Sequence, residues 1–224
     1  MTAADAAMLA TCEGARKALS AGSYSDALRA WLGTALQALP EGAFLRLGGR
    51  SFVTEAQGPS RVTTVAGAIG LLCAPGDRAA RMARRCQLAG RPVWLFARAW
   101  RPILPAQEIR LLIRQRRLVA ASQLHHRQCF PALLVRGEAL AAALVEFAQR
   151  LCPHLHLADV VADVWLTDEP EPVCELVELN PAMPATGRAL LGDDGLVGTF
   201  TSELLLLRPD GNIARFAFPE LGIC

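Results

Sequence analysis

The chain has 224 residues, of which 52% are hydrophobic and 20% are charged, and its formal net charge is +2. This balance excludes a disordered chain, and the near-neutral charge predicts neither a nucleic-acid-binding protein nor a protein that coats a membrane surface. Only Lys17 is a lysine, so a phosphate contact made by any other basic side chain must come from arginine.

Seven cysteines are scattered along the chain without a Cys-x-x-Cys pair. This pattern indicates reduced core thiols rather than a disulfide framework or a zinc site. The N-terminal residues lack a basic segment followed by an apolar one, and the longest uncharged run, Val62 to Gly76, is too short to cross a bilayer. We therefore expect a cytoplasmic protein with no membrane contact.

Residues 1–92 predict helices around one short strand. Helices are expected over 3–19, from a Ser23 or Ser25 cap to Leu39, from Thr63 or Thr64 to Leu72, and from Asp77 through an arginine-rich stretch. The strand, Ala43 to Leu47, leads into Gly48-Gly49-Arg50-Ser51. The arginines of 78–91 fit a solvated helix face better than an RNA contact, because no aromatic residues interleave them to stack bases.

In the middle of the chain, the spacing of the apolar residues changes from that of helices to that of β-strands. Strands are predicted at Val93–Trp100, Glu108–Arg114, Leu118–Leu124, Asp159–Leu166 and Val173–Leu179, with a helix over 137–151 and a last hairpin around Asp210-Gly211. Antiparallel hairpins between helices indicate an α+β fold rather than a doubly wound sheet.

Two carboxylates and an amide are predicted to meet on one hairpin. Alternation along a strand points Leu176, Glu178 and Asn180 the same way. If Leu166 lies opposite Val173, Asp163 lies opposite Leu176 and joins that face. Asp163, Glu178 and Asn180 would then form the hard-oxygen site that Mg²⁺ prefers. The same spacing also fits the solvent face of an amphipathic hairpin, and on the residues alone the two readings stay balanced.

Other candidates have ordinary readings. His125 and His126 are adjacent on a predicted strand, so they point to opposite faces and indicate a strand end rather than a shared ligand site. Ser51 and Ser122 have no visible base partner, so no acyl-transfer triad is predicted.

The segment ELVELNP resembles the metal-binding strand of the ATP-grasp superfamily. Further blocks in order resemble the cell division cycle 123 family: FLRLGGRS from Phe44, WLFARAW from Trp94, QEIRLLIRQRRLVAASQ from Gln107, then ADVWL and VELNP. Together these blocks extend over residues 44–181.

The resemblance implies an ATP-grasp fold in which two α+β halves, residues 1–97 and 98–224, hold a nucleotide between them. It implies that Mg²⁺ binds Asp163, Glu178 and Asn180 beneath the phosphates of ATP. The other implied nucleotide contacts are Arg98, a hinge at Ala99-Trp100, and inward-facing Glu108 and Arg110. Arg98 and Arg110 are the implied catalytic residues, since arginine can stabilise charge on a transferring phosphoryl group.

One departure from the family concerns a phosphate-contacting lysine. The family follows Arg-Ser with Pro-Lys-Asp, whereas this chain reads Phe52-Val53-Thr54 after Ser51. Arg46 and Arg50 are the best replacements, because they flank a glycine turn that lets the backbone approach a phosphate, and Arg61 is a third candidate.

Three functions follow from this reading. The first is a MgATP-dependent ligase or phosphotransferase, whose acceptor could be a small molecule, a protein or RNA but not DNA. The second is an ATP-binding assembly chaperone with little or no turnover, like the eukaryotic members of the resembled family. The third is a degenerate ATP-grasp protein that binds no nucleotide, which the missing lysine suggests.

Overall fold

The computed structural model describes residues 25–48, 50–51, 60–73, 77–167, 172–183, 186, 189–191 and 202–219. Its fold is α+β, as predicted. Contacts divide the chain into two compact units, Met1–Pro102 and Ile103–Cys224, five residues beyond the predicted boundary. Among the residues that the structure describes, no helix is long and apolar enough to cross a membrane.

The first unit contains a three-stranded antiparallel sheet with the strand order β2-β1-β3. Its elements are α1 (Asp26–Gln37), β1 (Ala43–Leu47), β2 (Arg50–Ser51), α2 (Val65–Cys73), α3 (Asp77–Leu88) and β3 (Leu95–Ala99). The predicted caps are confirmed: the Ser25 Oγ accepts a hydrogen bond from the Leu28 amide, and the Thr64 Oγ1 accepts one from the Gly67 amide. The predicted helix over 3–19 lies outside the described residues.

The core of the first unit lies on one face of its sheet. Ala43, Leu45 and Leu47 alternate along β1 and are almost fully buried against Leu32 of α1 and Leu72 of α2. The intervening positions of β1 therefore lie on the other face.

The second unit is built on a six-stranded sheet with the order β7-β6-β4-β5-β8-β9. Its elements are β4 (Glu108–Arg114), β5 (Arg117–Gln123), α4 (Pro131–Val135), α5 (Gly137–Leu151), β6 (Val160–Leu166), β7 (Cys174–Pro181), β8 (Glu203–Leu207) and β9 (Ile213–Ala217), with 3₁₀ turns at Pro105–Gln107, Cys152–His154 and Ala189–Leu191. Of these, the predictions missed α4 and the parallel pairing of β5 with β8.

Helix α5 covers one face of the six-stranded sheet. Leu140 and Leu144 are fully buried against Ile109, Leu111 and their neighbours on the adjacent strands. Cys174 belongs to this core, and burial raises the pKa of its thiol to about 11, so it is an inert packed thiol, as expected. The opposite face, called the polar face below, carries charged side chains beside a small buried cluster of Leu112, Ala120 and Val161.

The hairpin between β4 and β5 turns through Gln115 and Arg116, whose φ angles are +49° and +57°. Left-handed backbone is unfavourable for these residue types, so outside contacts must hold the turn. The Gln115 amide donates to Asp159 Oδ1 at 2.8 Å, and Arg114 Nη1 donates to Oδ2 of the same carboxylate at 2.8 Å. These bonds, the one from Gln115 above all, lower the pKa of Asp159 and fasten the turn to the start of β6.

Candidate functional site

Three charged residues form one row across the polar face of the six-stranded sheet. Arg110 of β4 lies opposite Asp163 of β6, and Asp163 lies opposite Glu178 of β7. Cross-strand partners share a face, and Asn180, two positions beyond Glu178, shares it as well. The predicted convergence of Asp163, Glu178 and Asn180 on one side of the hairpin is therefore found in the structure.

The register that produces this convergence differs from the predicted one. Leu166 lies opposite Cys174 instead of Val173, and the pairing then shifts by one residue between Asp163 and Val164. Val177 is the extra residue of this β-bulge, because it lies between the residues of β7 that face Val164 and Asp163. As a result, Leu176 pairs with Val164 on the core side of the sheet, and the prediction that it shares a face with Glu178 is wrong.

Arg110 and Asp163 form a two-pronged ion pair. Arg110 Nε lies 2.7 Å from Asp163 Oδ1, and Nη2 lies 2.8 Å from Oδ2. The two side chains are only 13% and 10% exposed. Parallel N–H···O bonds of this kind fix direction as well as distance, so the guanidinium and the carboxylate hold each other in place.

Asn180 stands beside this pair, with its Nδ2 3.5 Å from Asp163 Oδ2. A 180° rotation of the Asn180 side-chain amide exchanges its oxygen and nitrogen, and would direct the amide oxygen towards Asp163. Among the described residues, no group of three or more His, Cys, Asp and Glu could hold a metal ion. A cation on this face would rely on two carboxylates and one amide.

The donor set fits Mg²⁺. Carboxylate and amide oxygens are hard ligands, and Mg²⁺ completes its octahedron with waters and phosphate oxygens when few protein ligands are present. The fork of Arg110 uses one lone pair on each oxygen of Asp163, and an ionised carboxylate has about four such sites, so acceptor capacity is left.

Glu108 also lies on the polar face, opposite Trp165 of β6. Its Oε2 is 2.8 Å from His125 Nε2, in the loop that follows β5. The strand ends at Gln123, whose Nε2 donates to the carbonyl oxygens of His125 and Gln128 and so fixes this loop. Sequence reasoning treated His125 as an ordinary strand end and missed its contact with Glu108, because no local pattern relates two residues that meet across a hairpin.

The remaining candidates belong to the first unit, residues 1–102. Arg46 of β1 lies opposite Phe96 of β3, and Arg98 lies opposite Phe44, so both arginines occupy the sheet face away from the core. Arg46 is 8% exposed, whereas Arg98 is exposed. Trp100 packs near Phe44, with 6.5 Å between ring centroids and the rings tilted by 55°.

Ala99, at the end of β3, lies opposite Ala43 and so occupies a core-side position of the strand. The predicted hinge residues Ala99 and Trp100 are therefore adjacent but differ in their packing.

The arginines proposed to replace the missing lysine do not behave alike. Arg50 pairs with Leu47, whereas Arg46 pairs with Ser51, so positions 46 and 50 lie on opposite faces of the β1–β2 hairpin. The face-sharing that a joint phosphate clamp would need is absent. Arg61 is engaged elsewhere: its Nε donates to the Glu41 carbonyl at 2.8 Å. Arg46 is the candidate on the face of Arg98.

Comparison with known proteins decides the family. The D123 family model matches residues 78–198, more than half of the chain. The chain belongs to the D123 family. The matched residues include Arg98, Arg110, Asp163, Glu178 and Asn180 but neither Arg46 nor Arg50.

Solved structures agree with this assignment. Cdc123 from Schizosaccharomyces pombe superposes with a TM-score of 0.65 at 18% identity, covering 77% of this chain and 72% of that one. A C-terminally truncated form of the same protein gives 0.66 at 18% identity, covering 79% and 75%. This D123 chain therefore shares the fold of Cdc123.

A RimK-domain ATP-grasp protein from Sphaerobacter thermophilus matches at 18% identity over 74% of this chain and 56% of its own, but its TM-score of 0.36 supports no conclusion. No curated protein matches the chain by sequence.

Proposed function

We propose that this D123 protein is a Mg²⁺-dependent ATP-binding protein. The observation that carries the proposal is the row of Arg110, Asp163 and Glu178 across three neighbouring strands, with Asn180 beside it. A nearly buried arginine and two carboxylates on one sheet face suit a ligand that brings both a divalent cation and anionic phosphates.

Each residue of the row has a definite task in this proposal. Asp163, Glu178 and Asn180 would hold Mg²⁺, which, when bound, neutralises phosphate charge and orients phosphate oxygens. Arg110 balances the charge of Asp163 through its two short hydrogen bonds. Because Asp163 is thereby fixed in direction, the site is preorganised and spends little conformational entropy on binding.

Binding without turnover, as in an assembly factor that acts on a protein partner, is our first choice. The family's lysine is absent, Arg61 binds a backbone carbonyl, and positions 46 and 50 lie on opposite faces of their hairpin. Fewer cationic side chains are therefore left for the phosphate contacts that favour transfer.

A ligase or phosphotransferase is the second candidate. It is favoured by the complete donor set and by Arg110, a residue suited to stabilising charge on a transferring phosphoryl group. Formation of ADP in proportion to time would support this second function, and its absence in a protein that binds MgATP would support the first.

The experiment is an ATP titration followed by calorimetry and thermal unfolding, with and without Mg²⁺. We expect heat of binding and a raised melting temperature only when Mg²⁺ is present, since a ligand that binds the folded state stabilises it. Glu178→Gln should abolish both effects. Glu138→Gln removes the same charge from an exposed position on α5 and should leave both unchanged. Wild-type protein that shows neither heat nor a melting shift with MgATP would refute the proposal.

A further inference from the structure

The exposed face of α3 carries a basic and apolar pattern that the proposed nucleotide site does not use. Arg81, Arg84, Arg85 and Leu88 are spaced i, i+3, i+4 and i+7, so they line one face of the helix, and all four are exposed. Leu88 is 80% exposed. The opposite side of α3 buries Ala80 and Ala83. We call the face formed by Arg81, Arg84, Arg85 and Leu88 the arginine face.

Basic residues greatly outnumber acidic ones in the sequence around the arginine face. Residues 78–107 include seven arginines and no aspartate or glutamate. Among the described residues, Arg84, Arg85 and Arg91 form no ion pair. Two exposed arginines of the second unit do form ion pairs, Arg150 with Glu146 and Arg215 with Glu203.

The arginine face is separate from the side of the sheet that carries Arg46 and Arg98. Ala83 belongs to the same core cluster as Leu45 and Leu47, so α3 packs on the core face of β1. Arg46 and Arg98 alternate to the other face of that sheet. A ligand of the arginine face would therefore be distinct from one that contacts Arg46 and Arg98, and the inference does not depend on ATP binding.

The end of α3 adds a further cation. Gly90 adopts a left-handed conformation with φ of +60°, and the Arg91 amide donates to the Cys86 carbonyl at 2.8 Å. This is the 6→1 hydrogen bond of a Schellman helix end, which turns the chain back and fixes the backbone of Arg91 next to the last turn.

We propose that the arginine face binds an acidic segment of a partner protein. Guanidinium groups bind carboxylates in a two-pronged geometry, and arginine is enriched at the centre of protein interfaces. An apolar residue as exposed as Leu88 among the arginines fits a partner with an apolar side chain between its carboxylates. A nucleic acid would instead reward aromatic side chains for stacking, and α3 has none.

The test uses the full chain and a short fluorescent peptide of glutamate and leucine, with the leucines at helical spacing. Fluorescence anisotropy would measure the affinity of the chain for this acidic peptide. The control ligands are the same peptide with glutamine in place of glutamate and an oligouridylate of matched length. We expect the acidic peptide alone to bind at low salt and its affinity to fall as salt screens the charges.

Variants locate the contact. Arg84→Gln/Arg85→Gln should weaken binding of the acidic peptide about tenfold, as expected for two partly screened ion pairs. The control, Arg117→Gln/Arg208→Gln, removes the same charge from exposed positions of the second unit and should keep the wild-type affinity. Leu88→Ala should weaken the leucine-containing peptide but not a purely glutamate one.

Three results would overturn the inference. These are no binding of the acidic peptide by the wild-type chain at low salt, an equal loss in the control variant, or tighter binding of the oligouridylate than of the peptide. Thermal unfolding of each variant confirms that the comparison concerns folded protein.

Discussion

The ion pair between Arg110 and Asp163 affects the stability of the fold as well as the proposed ligand site. Both are nearly buried and hydrogen-bonded at two points. Removing one member of such a pair leaves the other charge without its partner in a poorly solvated place, which costs more than the pair itself contributes.

We predict that Asp163→Asn lowers the free energy of unfolding by about 3 kcal/mol, because the amide cannot balance the charge of Arg110. Glu178→Gln should change it by less than about 1 kcal/mol, since Glu178 is more exposed. Urea denaturation followed by circular dichroism measures both.

The double variant Arg110→Met/Asp163→Leu tests whether the stability lost in Asp163→Asn comes from the uncompensated charge of Arg110 or from misfolding. It removes both charges together and should recover most of the stability lost in Asp163→Asn. A double variant less stable than the single one would contradict the assignment of the cost to an uncompensated charge.

For individual residues, alternation along a strand was enough to predict that Glu178 and Asn180 share one face of the sheet. It could not reveal that Arg110 faces Asp163, because β4 and β6 are neighbours in the sheet but not in the chain. The contact between Glu108 and His125 escaped prediction for a related reason: it depends on how the loop after β5 folds back.

Among the elements, the start of α5 shows how closely two parts of the second unit approach. Gly137 is buried at the first turn of the helix, where an added Cβ would overlap the ring of Phe216 in β9. Only glycine leaves enough room for the Phe216 ring at this position. The start of the helix and the C-terminal hairpin can therefore pack closely because residue 137 has no side chain.

We predict that Gly137→Ala destabilises the protein by about 1–3 kcal/mol, the usual cost of overpacking. The matched control is Gly70→Ala in α2, where an added Cβ meets nothing within 4 Å. Because alanine favours helix over glycine, the control should be stabilised by about 0.5–1 kcal/mol. Thermal unfolding compares the two, and a gain of stability in Gly137→Ala would refute the close approach.

Element types could be predicted well because their signals are local. The serine cap at Ser25, the apolar period of 137–151 and the turn around Asp210-Gly211 each lie within a few residues of the structure they specify. The bulge at Val177 could not be predicted, since a bulge changes register without changing composition. The parallel pair β5–β8 was missed because two helices and two strands lie between its strands in the described part of the chain.

For the whole molecule, each unit has a hydrophobic core of its own. Leu32 belongs to the core of the first unit and Leu144 to that of the second, and each is 0% exposed. We predict that Leu32→Ala and Leu144→Ala each cost about 2–5 kcal/mol. Their effects should add within about 0.5 kcal/mol, because the two residues belong to different clusters.

Leu104→Ala provides the control for this pair, since Leu104 is 57% exposed. Its unfolding free energy should stay within about 0.5 kcal/mol of the wild type. Denaturant titrations of the three single variants and the double variant test both statements. A combined loss clearly different from the sum would show that the two cores are energetically coupled.

The pairing of β5 with β8 has a consequence for synthesis on the ribosome. Residues 120–122 find their partners at 203–205, so about eighty residues must be translated between the two halves of this ladder. At bacterial or eukaryotic elongation rates of about 5–20 residues per second, that edge of β5 stays open for several seconds or more. During that interval the nascent chain presents an unpaired strand and an incomplete core, and it is then that a folding chaperone would be most useful to this protein.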